Sequence, residues 1–253
     1  MFFEEHAKLL SDFARVSQAA GARADYVQGG GGNTSVKLPG GLMAIKASGF
    51  CLSDIRPDKA YAVLDGADLR NFYLTTEPSQ LADVEKEGSA RAKADVRHID
   101  GLADLRPSVE AGFHSILKTF VVHTHSVYAN LAACSTACRP IAAQAFAGAN
   151  YTWGWVPYTN PGANLTFAIR DELRRVEAET GKVPSVILMQ NHGIIVHDDD
   201  PDTALAIHTD ANERLARMFG LSGTSFPKIA VREMAAGIHA ADVPYLAEQF
   251  RTG

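Results

Sequence analysis

"FVVHTHSVYANLAACS", residues 120–135, begins as an apolar run, places two histidines one residue apart, and continues in small and apolar residues at helical spacing. Phe120 to His125 reads as a buried strand, and "VYANLAACS" as the helix that follows, a strand-to-helix unit typical of an α/β domain. Side chains two apart on a strand share a face, so His123 and His125 project together with Val121 behind them. No other charge flanks the pair. Two readings fit. The imidazoles are neutral and hydrogen-bonded in a core, or they share one cation, since neutral imidazole is a common ligand for zinc and similar metals.

Two neighbouring stretches bear on that choice. In "ILMQNHGIIV" (residues 187–196), Asn191-His192-Gly193 interrupts two apolar strands. Such a break is poor sheet sequence and makes sense if it aims His192 at a site. Three histidines leave a coordination position for a fourth ligand or a substrate, the arrangement of a catalytic zinc. In "RPSVEAGFH" (residues 106–114), Pro107-Ser108 opens a helix with Ser108 as N-cap and Val109, Phe113, Ile116 and Leu117 on its apolar face. Glu110 falls in its first turn, thirteen residues before His123. It is either a helix-dipole glutamate or a base at the mouth of the site; beside a metal its carboxylate would ligate or stay ionised.

Around this centre the pattern alternates strands and helices. "EEHAKLLSDFARVSQAAG" is helical, with Gly21 past its end. "TSVKL" and "GLMAIKAS", joined by Pro39-Gly40-Gly41, form a hairpin, and "RPDKAYAVLDGADL" adds a strand. Residues 77–106 read as a helix plus a mobile loop. "NLTFAIRDELRRVEAETG" and "DPDTALAIHTDANERLARMFG" are amphipathic helices. The sum is an α/β domain whose central strands are covered by helices on both faces.

Composition bounds the function. At 253 residues the chain fits one large α/β domain or two small ones. The net charge of −5 and pI near 6.0 make no case for nucleic acid or an anionic membrane. No uncharged apolar stretch reaches 18 residues. The start, "MFFEEHAKLL", lacks the basic head and apolar core of a signal peptide. Cys134 and Cys138, four apart on an expected helix, match neither a redox CxxC nor a zinc pair. These features point to a cytoplasmic protein.

"QGGGGNTSVKL" (residues 28–38) is neither a Walker A loop nor a dinucleotide fingerprint: no Gly-Lys-Ser/Thr follows, the last glycine of GxGxxG is missing, and a helix precedes it. Gly29 to Gly32 bare backbone N–H groups, and Asn33, Thr34 and Ser35 add polar side chains, a combination that suits a phosphate or another anion, or simply a flexible turn. "KASGF", with Ser48 and Gly49, offers a second donor loop. Asp198 to Asp200 read as a solvated turn, and His114 and His208 as packing or surface histidines. Tyr151, Trp153, Trp155 and Tyr158 form a pocket wall or a packing surface.

Taken in order, "GGGNTSVK" (30–37), "KASG" (46–49), "RPSVE" (106–110), "HTHS" (123–126), "VPYTNPG" (156–162) and "NHGIIV" (191–196) resemble the class II aldolase/adducin family over residues 5–220. The wording is most similar to the aldolase part of rhamnulose-phosphate aldolase/short-chain dehydrogenase fusions, without their dinucleotide loop. The resemblance implies a three-layer α/β/α sandwich with a central, largely antiparallel sheet. It implies one domain over residues 1–253, with residues 222–253 as a C-terminal extension, and a homotetramer with active sites between subunits. His123, His125 and His192 match the family's ligands for a divalent metal, usually zinc, and Glu110 its acid/base glutamate. Asn33, Ser48, Gly49 and Ser108 match positions that line the phosphate pocket, and Gly32 and Thr34 of the glycine loop complete the expected phosphate-binding set. The implied reaction is reversible aldol cleavage of a ketose phosphate through a metal-stabilised enediolate. Decarboxylases, epimerases and dehydratases share the scaffold, and adducin-like members keep it as an interaction module. Glu110 favours aldolase or decarboxylase, because the epimerases carry Asp there. One departure concerns the phosphate: many sugar-phosphate aldolases have two serines before the glutamate, where this chain has Ser108-Val109. In this family C-terminal tails can reach a neighbouring subunit, where Tyr245 would be a proton donor.

Overall fold

The computed structural model describes residues 1–221 and 230–241. Contacts divide the chain into two units, Met1–Gly220 and Leu221–Gly253. The first contains α1 (Phe2–Glu5), α2 (Ala7–Gly21), β1 (Asn33–Lys37), β2 (Leu42–Lys46), β3 (Tyr61–Asp65), α3 (Gly66–Thr75), α4 (Val84–Ala94), β4 (Val96–Arg97), α5 (Ala111–Ile116), β5 (Phe120–Thr124), α6 (Val127–Ala133), α7 (Cys138–Ala145), β6 (Trp153–Val156), α8 (Ala163–Thr180), β7 (Val186–Met189), β8 (Gly193–Asp198) and α9 (Pro201–Met218). In the second, β9 (Val231–Ala235) and β10 (Ile238–Ala241) pair as an antiparallel hairpin. Tyr245 lies outside the described residues.

Eight strands form one sheet in the order β4-β3-β2-β1-β5-β8-β7-β6, antiparallel throughout except for β6 and β7. That exception follows from the connection: α8 carries the chain from the end of β6 back to the start of β7, as a parallel pair requires. Alternation along each strand feeds two cores. Val36, Val122 and Val196 pack with Leu10 and Phe13 of α2 and Leu215 of α9. Val121, Ile195 and Ile187 pack on the other face with Phe113 of α5 and Ile169 of α8. Each fully buried Phe or Leu contributes roughly 1.5–3 kcal/mol through the area it removes from water. The result is the three-layer sandwich that the resemblance implied.

Local chemistry sets the boundaries. Asp200 accepts the Thr203 N–H at 2.7 Å and Pro201 occupies the first helical position, so the acidic run caps α9. Glu85 of α4 accepts the backbone N–H groups of Ala163 and Asn164, both at 2.9 Å, and so caps α8 from another element.

Three local expectations need correction. The helix after Pro107 begins at Ala111, with Glu110 rather than Ser108 as its N-cap residue. Pro107 bridges Ala47 in β geometry, which keeps the chain extended, and the Ser108 hydroxyl is engaged by Asn33 and by the Glu110 N–H. Val109 therefore sits outside the helix and is 64% exposed, whereas Phe113, Ile116 and Leu117 are buried. Cys134 and Cys138 do not share a helix, because the chain turns between α6 and α7. Within residues 77–106, helix α4 is followed by the short edge strand β4.

Candidate metal centre

β5 ends at Thr124, at the same end of the sheet where β7 turns into β8. That turn, Gln190-Asn191-His192, closes with the His192 N–H on the Met189 carbonyl at 3.2 Å. Asn191 takes φ +54°, a left-handed conformation that asparagine tolerates better than most residues. Gly193 then begins β8 against β5. A Cβ there would lie 2.4 Å from the Thr124 carbonyl oxygen and 3.3 Å from Cδ2 of His125, so glycine is the residue that lets the two histidine-bearing segments meet. Gly32 does the same from the glycine loop: at φ +67°, its Cβ would stand 2.6 Å from the His123 carbonyl oxygen.

The three imidazoles converge. Ring centroids are 4.9 Å apart for His123–His125 and His123–His192, and 5.2 Å for His125–His192. One donor nitrogen from each lies within 4.8 Å of the others, so some point is within about 2.8 Å of all three. Metal–imidazole bonds of about 2.0–2.1 Å need an inward movement of under 1 Å per ring. The chemistry of the donor set fits as well. His123 Nδ1–H donates to the Ile194 carbonyl at 3.0 Å, which fixes the tautomer and leaves Nε2 as a free lone pair. Nε2 of His123 and of His125 are buried and, among the described residues, have no hydrogen-bond partner. Burial pushes the pKa of His123 down to about 3 and lowers that of His125, so both are neutral at pH 7. Neutral imidazoles with orphaned, convergent lone pairs form a group that can hold a metal ion.

Glu110 closes the site. Its carboxylate oxygens lie 3.2 Å from His192 Nε2 and 3.5 Å from His123 Nε2. Burial alone would raise its pKa, but His192 beside it and the Asn33 hydrogen bond outweigh burial and hold the carboxyl below the usual range. Asn33 Nδ2 donates to Glu110 at 2.6 Å and to the Ser108 hydroxyl at 3.1 Å. The Asn33 carbonyl oxygen is in turn held by His114 Nε2, whose Nδ1 meets Ser35 at 2.7 Å. An ionised carboxylate beside a metal position can move a proton at a carbon next to a polarised carbonyl.

Of the expected anion-binding residues, the structure brings Gly32, Asn33 and Ser108 to this group. Ser48 and Gly49 are exposed, on a loop tied to the Ser108 segment by the Ser48 N–H on the Arg106 carbonyl at 2.9 Å. Thr34 does not join them. Strand alternation turns it to the opposite face, where its hydroxyl meets Ser17 at 2.7 Å. Sequence reasoning missed two residues. Lys46, buried, donates to the carbonyls of Phe50 (2.6 Å) and Gly30 (3.2 Å) and so ties the glycine loop to the Ser48 loop. His114 is not mere packing: it fixes Asn33, and its position four residues after Glu110 was the available signal.

A cavity of about 550 Å³ adjoins His125, lined by Gln28, Val127, Asn130 and Leu131. Val127 and Leu131 are exposed apolar side chains at its rim.

A family model, the class II aldolase and adducin N-terminal domain, matches residues 11–219. Solved structures with the same fold include the N-terminal class II aldolase domain of a conserved protein from Thermoplasma acidophilum (20% identity, TM-score 0.67, 82% of this chain and 92% of that one). YgbL from Klebsiella pneumoniae, whose reaction is left open among aldolase, epimerase and decarboxylase, aligns at 17% identity and TM-score 0.57 over 89% of this chain and 95% of that one. A sugar-phosphate aldolase from Thermotoga maritima aligns at 15% identity and TM-score 0.55 over 87% and 98%. No curated protein matches the sequence.

Proposed function

The match over residues 11–219 makes this chain a member of the class II aldolase and adducin family, and on that premise we propose that it is a metal-dependent lyase catalysing reversible aldol cleavage of a ketose phosphate. The observation that carries this reading is the pairing of three convergent imidazoles with one buried carboxylate, Glu110, held by Asn33. His123, His125 and His192 would hold a divalent ion, zinc in this reading, which when bound would supply a Lewis acid to the substrate carbonyl. Glu110 takes the proton from the donor carbon in condensation and returns it in cleavage. Asn33 orients that carboxylate, and its closed hydrogen-bond chain to His114 means little reorganises during the transfer. The Gly29–Gly32, Ser48–Gly49 and Ser108 loops anchor the phosphate, so binding energy away from the reacting bond positions it. In this reading the enzyme acts on cytoplasmic sugar phosphates as a homotetramer, and the exposed Val127 and Leu131 beside His125 favour a subunit contact near the site.

A decarboxylase reading is favoured by one feature: Val109, exposed next to Ser108, offers no hydroxyl, which leaves room for an anion other than phosphate. Incubation of metal-loaded protein with ketose phosphates and with 3-oxo acid phosphates decides between them. Aldehyde release supports the aldolase; CO₂ release without aldehyde replaces it; turnover of neither, in protein shown to bind metal, revives an interaction module.

A further inference from the structure

At the other end of β1, four residues and roughly 13 Å from Asn33, a cavity of about 630 Å³ opens beneath α5 between α3 and α8. Five basic side chains line it; Lys118 pairs with Asp198, Arg170 with Glu77 and Asp171, and Arg174 with Asp171, which leaves Lys37 and Arg70. Lys37 Nζ donates to the His114 carbonyl, and Arg70 Nη1 donates to the carbonyls of Ile116 (2.7 Å) and Ser115 (3.3 Å). Among the described residues neither pairs with a carboxylate, and both keep N–H donors unused. His197 of β8, fully buried, also lines the cavity. Its Nδ1 accepts the Lys118 N–H at 3.4 Å, which places the remaining ring hydrogen on Nε2. The Pro184 carbonyl lies beside the ring, and among the described residues Nε2 makes no well-aligned hydrogen bond. The acidic groups lining the cavity are Glu177 and Asp199, and Asp199 is already engaged by the N–H (3.1 Å) and hydroxyl (2.7 Å) of Thr119.

The guanidinium of Arg70, the amine of Lys37 and the buried N–H of His197, all with donor capacity left over around one cavity, suit an oxyanion. We propose that this cavity is a second anion site, distinct from the metal centre, which takes a phosphate group through Lys37, Arg70 and His197. Burial, with Arg70 adding to it, disfavours the charged form of Lys37, and a bound dianion offsets that cost. Helix α5 has Glu110 at its head and this cavity at its foot, so the occupant sits on the element that places the carboxylate of the metal centre.

Isothermal titration of the metal-loaded protein with inorganic phosphate tests the site without reference to any reaction. Arg70→Gln removes one charged donor, and His197→Phe removes the ring donor at similar volume; neither touches the Ser48 or Ser108 loops. A phosphate-binding event is expected that each variant weakens about tenfold or more, the loss of one charge-assisted hydrogen bond. Parallel titration with glycerol phosphate assigns the source: equal affinity indicates free phosphate, tighter binding a phosphate ester. Circular dichroism identifies which variants fold, and either folded variant decides. Isotherms matching the wild type in the folded variants, or no phosphate binding at concentrations on the order of 10 mM, overturn the proposal.

Discussion

Gly193→Ala adds one methyl group where β8 meets the end of β5. The new Cβ would fall 2.4 Å from the Thr124 carbonyl oxygen, a backbone atom that cannot swing aside, and 3.3 Å from the His125 ring. Reaching even a tight contact of about 3.0 Å requires the strands to part by at least 0.6 Å (3.0 − 2.4). Overpacking of this kind costs about 1–3 kcal/mol, which for a chain of this size lowers Tm by roughly 2–4 °C per kcal/mol. The same shift carries His125 away from His192, across a site where ligands must hold within about 0.5 Å. Metal affinity should therefore fall at least tenfold, beyond what the stability loss explains. Competition with a chromophoric chelator measures the affinity, and thermal melts of metal-free protein measure the stability. Gly30→Ala is the control, because its nearest neighbour is the Phe50 carbonyl at 3.7 Å and its metal affinity should not change. A Gly193→Ala protein with wild-type metal affinity would refute the claim that this close approach sets the ligand geometry.

Other outcomes follow from the same contacts. Asn33→Ala removes the 2.6 Å bond to Glu110 and leaves His114 Nε2 without its partner; turnover should fall by about 10²-fold with metal content retained, read by steady-state kinetics beside elemental analysis. Ser108→Ala should raise KM for a phosphorylated substrate, whereas Thr34→Val, on the opposite face, should not. Stability should fall on acidification. His197 has a folded pKa of about 3 against an ordinary 6.5, so below pH 6.5 the unfolded chain takes up a proton that the folded chain refuses. This group alone removes about 2 kcal/mol by pH 5, and His197→Phe should flatten that dependence in urea unfolding at pH 7 and pH 5.

The parts of this molecule that local chemistry dictates were readable from the chain. Pro39-Gly40-Gly41 announced the β1–β2 hairpin, and the period-two spacing of His123 and His125 put both rings at one end of a strand. The break at Asn191-His192-Gly193 marked the third ring, because only a turn that tolerates left-handed backbone and a missing Cβ fits there. What escaped depended on tertiary partners. Ser108 looked like a helix cap, but Asn33 and the Pro107 bridge to Ala47 claim that segment, and the helix starts three residues later. Adjacency groups Thr34 with Asn33, although neighbours on a strand face opposite ways. Lys46 showed no sign of its role, since its acceptors are backbone carbonyls of two loops. The parallel pairing of β6 with β7 depends on where α8 packs, and periodicity carries no record of that.

Metal content by anomalous diffraction on reconstituted wild-type and His192→Ala crystals tests the central claim most directly. One divalent ion per chain, centred among the rings of His123, His125 and His192 and absent from the variant, is the predicted result. An ion bound elsewhere, or full occupancy retained after His192 is removed, would contradict it.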